Sequence, residues 1–383
     1  MHSSTFGAGL RRLGWDEAWA HALSRCPASL LTDSAIGRVS RVGRGTSDVL
    51  VPFGDDLTTI TTGWAAALER AVAHDPTAVP AAGDWVLVHR TPSTAADGPA
   101  VVSHVLPRRT AVVRAQVAQG SSYGQVLAAN ADVAAVVEGM APDVDLARIE
   151  RLLALAWSSG ATPVVVLTKS DLVAFPLALV QDVAEVAPGV EVLAVSSTDG
   201  TGLDPLRTWL AEGATIALLG ASGVGKSTLL NALVRGRDVP AGDVSGGGAV
   251  MRTQALRADG KGRHTTVTRE LHLGPAGGAV LDTPGLRTIG LTGHDALGDV
   301  FTEVQDLAGA CRFSDCAHRS EPGCAVLASV ESGDLPERRL LSYRKLLREA
   351  EHQAARVDQR LRAAMAGRTK AMTREHRRYL SRP

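Results

Sequence analysis

An α/β domain with a mostly parallel, doubly wound sheet is the fold this sequence predicts. It lies between a small all-β domain and a cysteine-bearing helical one. Three observations predict it. From residue 132 onward, short apolar runs alternate with runs of helical period. One apolar run, 215–219, leads straight into Gly220-Ala221-Ser222-Gly223-Val224-Gly225-Lys226-Ser227-Thr228, which is G-x-x-x-x-G-K-S/T, and 229–234 continues with helical spacing. Between 37 and 110, by contrast, the apolar runs are short and broken by Gly, Pro, Ser and Asp.

Composition sets the limits. With 383 residues the chain has room for two or three domains. Aromatic residues make up only 4%, so the cores must be built from Ala, Val and Leu. A net charge of zero conceals an uneven spread. Residues 334–383 hold 14 Lys+Arg against 6 Asp+Glu, which makes an acidic body with a basic tail. No run approaches the roughly 18 apolar residues of a membrane span. Arg11, Arg12, Asp16 and Glu17 interrupt any leader-like apolar stretch. The expectation is a cytoplasmic monomer with no membrane and no DNA partner.

In chain order, residues 1–33 form an extension with a short amphipathic stretch at 15–23. Residues 34–110 carry predicted strands at 37–42, 48–52, 84–89 and 101–106, the pattern of a small barrel or sandwich. Arg38, Arg41, Arg44, Arg90, Arg108 and Arg109 lie on or near them. Two readings stand level here, a spacer with a solvated face and a barrel that contacts RNA. The α/β domain, 111–305, has predicted strands at 132–137, 164–167, 190–195, 215–219 and 279–281, with helices at 146–157, 177–186 and 203–211 between them. Residues 306–383 form the last domain.

The motifs follow strands, where ligands of such sheets bind. Glycines let the phosphate loop wrap an anion with backbone N–H groups, and the following helix adds a positive end. Lys226 is placed to reach the β- and γ-phosphates and Ser227 to ligate Mg²⁺. Thr168-Lys169-Ser170-Asp171 matches the N/T-K-x-D pattern. A fixed carboxylate, Asp171, accepts both N–H donors on one guanine edge, where adenine presents an acceptor. The Lys169 stem can lie across the ring. Thr168 stands where Asn is more usual. Ser196 and Ser197 can serve the guanine carbonyl. Asp282-Thr283-Pro284-Gly285 is D-x-x-G, with Asp282 on Mg²⁺ through water and the Gly285 N–H on the γ-phosphate. Between these lies Gly262-Arg263-His264-Thr265-Thr266, where a threonine can complete Mg²⁺ coordination. Residues 245–261 before it read as a switch segment.

Their order is informative. Ordinary GTPases run phosphate loop, switch threonine, D-x-x-G, base-reading motif, serine motif. Here the last two come first, as though the sheet had been cut and rejoined. On these motifs, with Gln125-Val126-Leu127-Ala128-Ala129-Asn130 and Arg148-Ile149-Glu150-Arg151, the chain resembles the circularly permuted GTPases that depend on the small ribosomal subunit and act in its late assembly in bacteria. The resemblance spans about residues 34–330. It implies an N-terminal oligonucleotide-binding (OB-type) barrel, a permuted P-loop GTPase domain and a C-terminal zinc domain. It also implies GTP with Mg²⁺ as ligand, and the small subunit and its rRNA as partners. Thr283 departs from the serine common in that family, and the segment from 243 to 264 is longer. Leu286, after D-x-x-G, cannot orient a water, so unaided hydrolysis is expected to be slow, with His264 or a partner positioning the water.

Cys311, Cys316, His318 and Cys324 offer three thiolates and an imidazole, a closed tetrahedral set for one structural zinc per chain. Glu321 lies among them but is not expected to ligate. Beyond residue 334, Leu340, Leu341, Tyr343, Leu346 and Leu347 form an apolar stripe, and the basic continuation reads as a phosphate-backbone contact. The leading expectation is a ribosome-stimulated GTP hydrolase. Its rival is an RNA-binding assembly scaffold in which hydrolysis is incidental. A phosphate-loop ATPase or small-molecule kinase is a third class, which nucleotide competition would separate.

Overall fold

The computed structural model describes residues 7–54, 56–90, 99–118, 121–235, 269–283 and 295–357. The chain divides into two compact units, Met1–Val113 with Val126–Thr288, and Arg114–Gln125 with Ile289–Pro383.

The first unit begins with short helices α1 (Ala8–Arg12), α2 (Glu17–Ser24) and α3 (Ala28–Leu31). Asp16 caps α2, its carboxylate accepting from the Trp19 N–H at 2.9 Å. The barrel follows: β1 (Ser34–Val42), β2 (Ser47–Phe53), β3 (Asp56–Trp64), α4 (Ala66–His74), β4 (Trp85–Arg90) and β5 (Ala100–Val105). The ring runs β1–β2–β3–β5–β4 and closes where β4 pairs back onto β1. All neighbours are antiparallel except β3 and β5, the closed five-stranded order of an OB-type barrel. Strand β3 and helix α4 were not expected from the sequence. Val39, Val49, Val51, Val86, Val88 and Val102 fill the inside.

The amphipathic N-terminal stretch is part of this unit's core. Trp15 meets Trp85 edge-on at 4.7 Å between ring centroids, and Trp19 lies on the same cluster.

Next come a separate hairpin, β6 (Ala111–Ala118) and β7 (Ser121–Ala129), then β8 (Val133–Gly139), α5 (Leu146–Ser158), β9 (Thr162–Thr168), α6 (Pro176–Ala184), β10 (Glu191–Ala194), α7 (Asp204–Ala211), β11 (Thr215–Leu219), α8 (Lys226–Val234), β12 (Glu270–Leu273) and β13 (Ala279–Asp282). Five of these strands are parallel, in the order β10–β9–β8–β11–β13. The Val, Ile, Leu and Ala runs of β8, β9, β11 and β13 are buried on both faces, as a sheet covered by helices requires, and β10 at the edge is half-buried. Antiparallel β12 borders β13 and also pairs with β1 through Glu270 and Arg41, so sheet and barrel are continuous.

Three of the six barrel arginines are already engaged by partners within the protein. Arg38 is 1% exposed. It donates to the carbonyls of Leu13, Gly83 and Asn130 and to Thr215 Oγ1, the last at 2.8 Å. Burial lowers its pKa to about 10, with Asp132 and Asp84 opposing, so it stays charged near neutrality. Arg108 forks onto buried Asp84 at 2.8 and 2.7 Å and also bonds the carbonyls of Thr77 and Val79. Arg109 covers the Trp19 ring at 3.9 Å and pairs with Asp16. Arg41 and Arg44 are exposed.

The second unit contains α9 (Asp295–Val300), α10 (Thr302–Ala308), α11 (Ala325–Ser332) and α12 (Glu337–Val357). Leu340 and Leu346 of α12 are buried as the stripe predicts, but Leu341 is 53% exposed. Tyr343 packs edge-on against Phe301. Arg339, in the basic segment, is internal: it donates to Glu303 and the Val300 carbonyl and covers Phe301. No described helix is long and apolar enough to cross a membrane.

Candidate functional site

The carboxyl ends of the parallel strands form one edge. Register aligns it: Leu219 pairs with Val136, Gly139 with Thr168, Ala194 with Leu167, and Asp282 with Leu218. Neighbouring strands lie about 4.8 Å apart, so β9 and β11, two strands apart, are separated by roughly 10 Å. A nucleoside polyphosphate can span that gap.

The phosphate loop starts directly after β11. A Cβ on Gly220 would lie 2.5 Å from the Val137 carbonyl oxygen of β8, so only glycine fits the turn. Gly225 has φ 103°, and a Cβ there would meet Thr168 Oγ1 at 3.0 Å. Val224 plugs into the core beside Leu229 and Leu233 of α8. Lys226 opens α8 and is 7% exposed, its Nζ donating to the carbonyls of Gly220 at 2.9 Å and Ala221 at 2.7 Å. Burial lowers its pKa, while Asp282 and Glu138 act in the other direction. Phosphate oxygens carry charge and are stronger acceptors for this ammonium than loop carbonyls. Ser222 is exposed at the loop, Ser227 is half-buried and Thr228 is exposed in the first helical turn.

Asp282 ends β13. Burial pushes its carboxyl up to about 6, with Lys226 pulling it down and Glu270 pushing it further up. Its Oδ1 is buried and has no hydrogen-bond partner among the described residues. A buried carboxylate oxygen without a partner fits a hard cation that keeps several waters. Thr283 is buried, its hydroxyl donating to the Leu218 carbonyl at 2.6 Å and tying β13 to β11.

On the base side, Thr168 ends β9. Its hydroxyl lies against the Val224 carbonyl and 3.2 Å from that of Glu138. Threonine therefore still links this motif to the phosphate loop in place of asparagine. Lys169 adopts φ 63°, the left-handed region, and its Nζ donates to Gly223 of the loop at 3.1 Å. Its stem thus bridges the two motifs. Ser170 N–H donates to Val195 at 3.2 Å, joining the serine loop. Asp171 sits exposed in the turn Ser170–Leu172. Ser196 Oγ accepts from the N–H groups of Thr198 and Asp199, so it shapes its own loop, whereas Ser197 Oγ has no partner among the described residues.

His264, Thr265, Thr266 and Gly285 lie outside the described residues, as do 245–261 and Leu286. One pair was not foreseen. Glu138, at the end of β8, is 1% exposed and takes a bidentate grip from Arg148 at 2.6 Å on each oxygen. Glu138 holds the Arg148 pKa up through that bond. Glu138 is hidden in an apolar run, and only the spacing of an arginine in the following helix hints at it.

In the second unit, the donor atoms of Cys311, Cys316, His318 and Cys324 all lie within 4.8 Å of one another. His318 Nδ1 is 3.6 Å from Cys311 Sγ and 3.4 Å from Cys324 Sγ, and those two sulfurs are 3.9 Å apart. Metal–sulfur bonds of about 2.3 Å at tetrahedral angles set sulfurs about 3.8 Å apart, so the set fits a tetrahedral ion that takes thiolate and imidazole. Glu321 braces the loop that carries His318. Its carboxylate accepts from the N–H groups of Ala317, Arg319 and Ser320, which lowers its pKa to about 2.

A family model described as the RsgA GTPase matches residues 105–292. A small ribosomal subunit biogenesis GTPase RsgA from Streptomyces coelicolor is 49% identical over 93% of this chain and 90% of its own. One of the same name from Methanosarcina acetivorans is 38% identical over 93% and 89%. The crystal structure of YjeQ from Thermotoga maritima superposes with a TM-score of 0.57 at 26% identity, covering 83% of this chain and 98% of that one. YloQ, described as a circularly permuted GTPase, gives 0.53 at 23% identity over 84% and 96%, a likeness of fold.

Proposed function

The chain belongs to the RsgA GTPase family, and we propose on that footing how its residues carry out a GTPase's part in maturation of the small ribosomal subunit. The observation that carries the proposal is the bonding of Thr168 and Lys169 to the phosphate loop. It supports one pocket that reads guanine at β9 and β10 and phosphates at β11 and β13.

In this reading the loop amides of 220–225 and Lys226 hold the phosphates. Asp171 accepts the two guanine N–H donors, and the Lys169 stem lies along the ring. Ser197, rather than Ser196, has a hydroxyl free to serve the base. Ser227 and Asp282 hold Mg²⁺, which when bound offsets the charge on the β- and γ-phosphates. Thr265 or Thr266 and Gly285 sense the triphosphate, and His264 positions the water. Zinc is the ion of the Cys₃His set, one per chain, with a structural role because no coordination position is open. The protein acts as a cytoplasmic monomer. Exposed Arg41 and Arg44 of the barrel and the basic segment beyond Arg339 contact rRNA. The triphosphate form favours docking and hydrolysis favours release.

The test is GTP turnover with and without isolated small subunits. Turnover is expected to be slow alone and to rise when subunits are added, in a salt-sensitive way. Unchanged turnover on addition refutes the switch. Asp171→Asn should weaken discrimination against adenine nucleotides by about 100-fold. Ribosome-stimulated turnover left intact in His264→Ala removes that histidine from the water-positioning role.

A further inference from the structure

Glu270 opens β12 and is in register with a charged residue on each side. Across one ladder it faces Asp282 of β13, and across the other Arg41 of β1. Directly opposed residues on antiparallel neighbours project to the same face, with Cβ atoms about 5 Å apart. The three side chains therefore form a row across the sheet: cation, anion, anion. The row runs from the barrel to the carboxylate whose Oδ1 has no partner among the described residues. Arg41 is exposed, Glu270 half-buried and Asp282 8% exposed, so solvent screening falls along the row.

We propose that Glu270 is a positioning residue for the magnesium–nucleotide centre, acting through Asp282, and that Arg41 of the barrel sets how strongly it acts. The proposal rests on the reading of Asp282 as a magnesium-side residue. A second carboxylate beside Asp282 deepens the negative potential at a divalent cation, and a guanidinium beside Glu270 reduces it. A phosphate group that engages Arg41 draws the guanidinium away from Glu270. The metal centre then feels the full anion, and the nucleotide is held more firmly. Occupancy of the barrel by a polyanion is thus transmitted as charge across three strands, without movement of either domain.

The experiment uses the full chain with fluorescent GDP and no ribosome, and reads the magnesium concentration that gives half-maximal GDP retention. Glu270→Gln should raise that concentration about tenfold, since the pair acts at close range in a partly dry setting. Glu270→Asp, which keeps the charge, should recover most of the shift and guards against misfolding. Arg41→Gln should lower the concentration about threefold, and this effect should vanish in the Glu270→Gln background, as a double-mutant cycle demands. An unshifted magnesium profile in Glu270→Gln overturns the proposal. An Arg41→Gln effect that persists in the double variant overturns the role given to Arg41. Wild-type GDP retention independent of magnesium would instead bring down the nucleotide-site reading, and the proposal with it.

Discussion

The barrel and the carboxyl edge of the parallel sheet both carry charged side chains, and they treat them in opposite ways. In the barrel three guanidiniums are consumed. Arg108 is locked to Asp84 and two carbonyls, Arg109 to Asp16 and Trp19, and Arg38 to four acceptors. At the sheet edge, among the described residues, Asp282 Oδ1 and Ser197 Oγ have no partners and Lys226 bonds carbonyls of its own loop. A buried polar group left unsatisfied is unfavourable for folding, so a fold keeps one where a ligand completes it. Pairing, rather than the presence of charge, separates structural from binding residues here.

Four substitutions bear on that contrast. The largest effect is expected from Lys226→Ala, which removes the ammonium from the phosphate loop. GTP turnover should fall by at least about 100-fold, a larger effect than the one on the melting curve. A large loss of stability with nucleotide binding intact would break the comparison. Arg108→Ala should do the reverse. It leaves Asp84 buried without its cation and is expected to lower unfolding free energy by about 3–5 kcal/mol in denaturant titrations, with guanine affinity unchanged.

Asp282→Asn sharpens the contrast through pH. The folded-state pKa of Asp282 is raised from 3.8 to about 6, so its contribution to stability is full below about pH 3.8 and is lost as pH rises through about 6. The nucleotide-free asparagine variant escapes that loss. It should be more stable than wild type by about 3 kcal/mol at pH 7.5, with the difference closing towards pH 4. An equal gap at both pH values would mean that the carboxylate is already satisfied. The smallest effect is expected from Thr168→Ala. Losing one hydroxyl bond to the phosphate loop should lower stability by about 1 kcal/mol and weaken GDP binding a few-fold in calorimetry.

Much of this was legible from sequence, because phosphate loops and metal centres are local. The strand 215–219 and the glycines after it lie within one turn of each other, and all four metal donors lie within 14 residues. The α/β strands stand out because a buried parallel sheet needs unbroken apolar runs. Strand β3 does not stand out, since its Thr-Thr-Ile-Thr-Thr core is mostly exposed and shows no apolar face. Yet β3 pairs with both β2 and β5, and without it the ring is open. The barrel arginines were misleading for a different reason. Their acceptors come from distant parts of the chain, such as Thr215 for Arg38, and no short window reveals a guanidinium already in use.

Arg38 has one more implication, for anyone who cuts this protein apart. Its acceptors belong to four separate stretches: the N-terminal extension at Leu13, the barrel at Gly83, the connector at Asn130 and the first residue of the phosphate-loop strand. A fragment ending near residue 110 keeps the dehydrated cation and leaves two of its acceptors behind. Such a fragment should come out insoluble or molten, and swapping the barrel for that of a relative should succeed only if the residue opposite this arginine on the receiving strand is swapped with it.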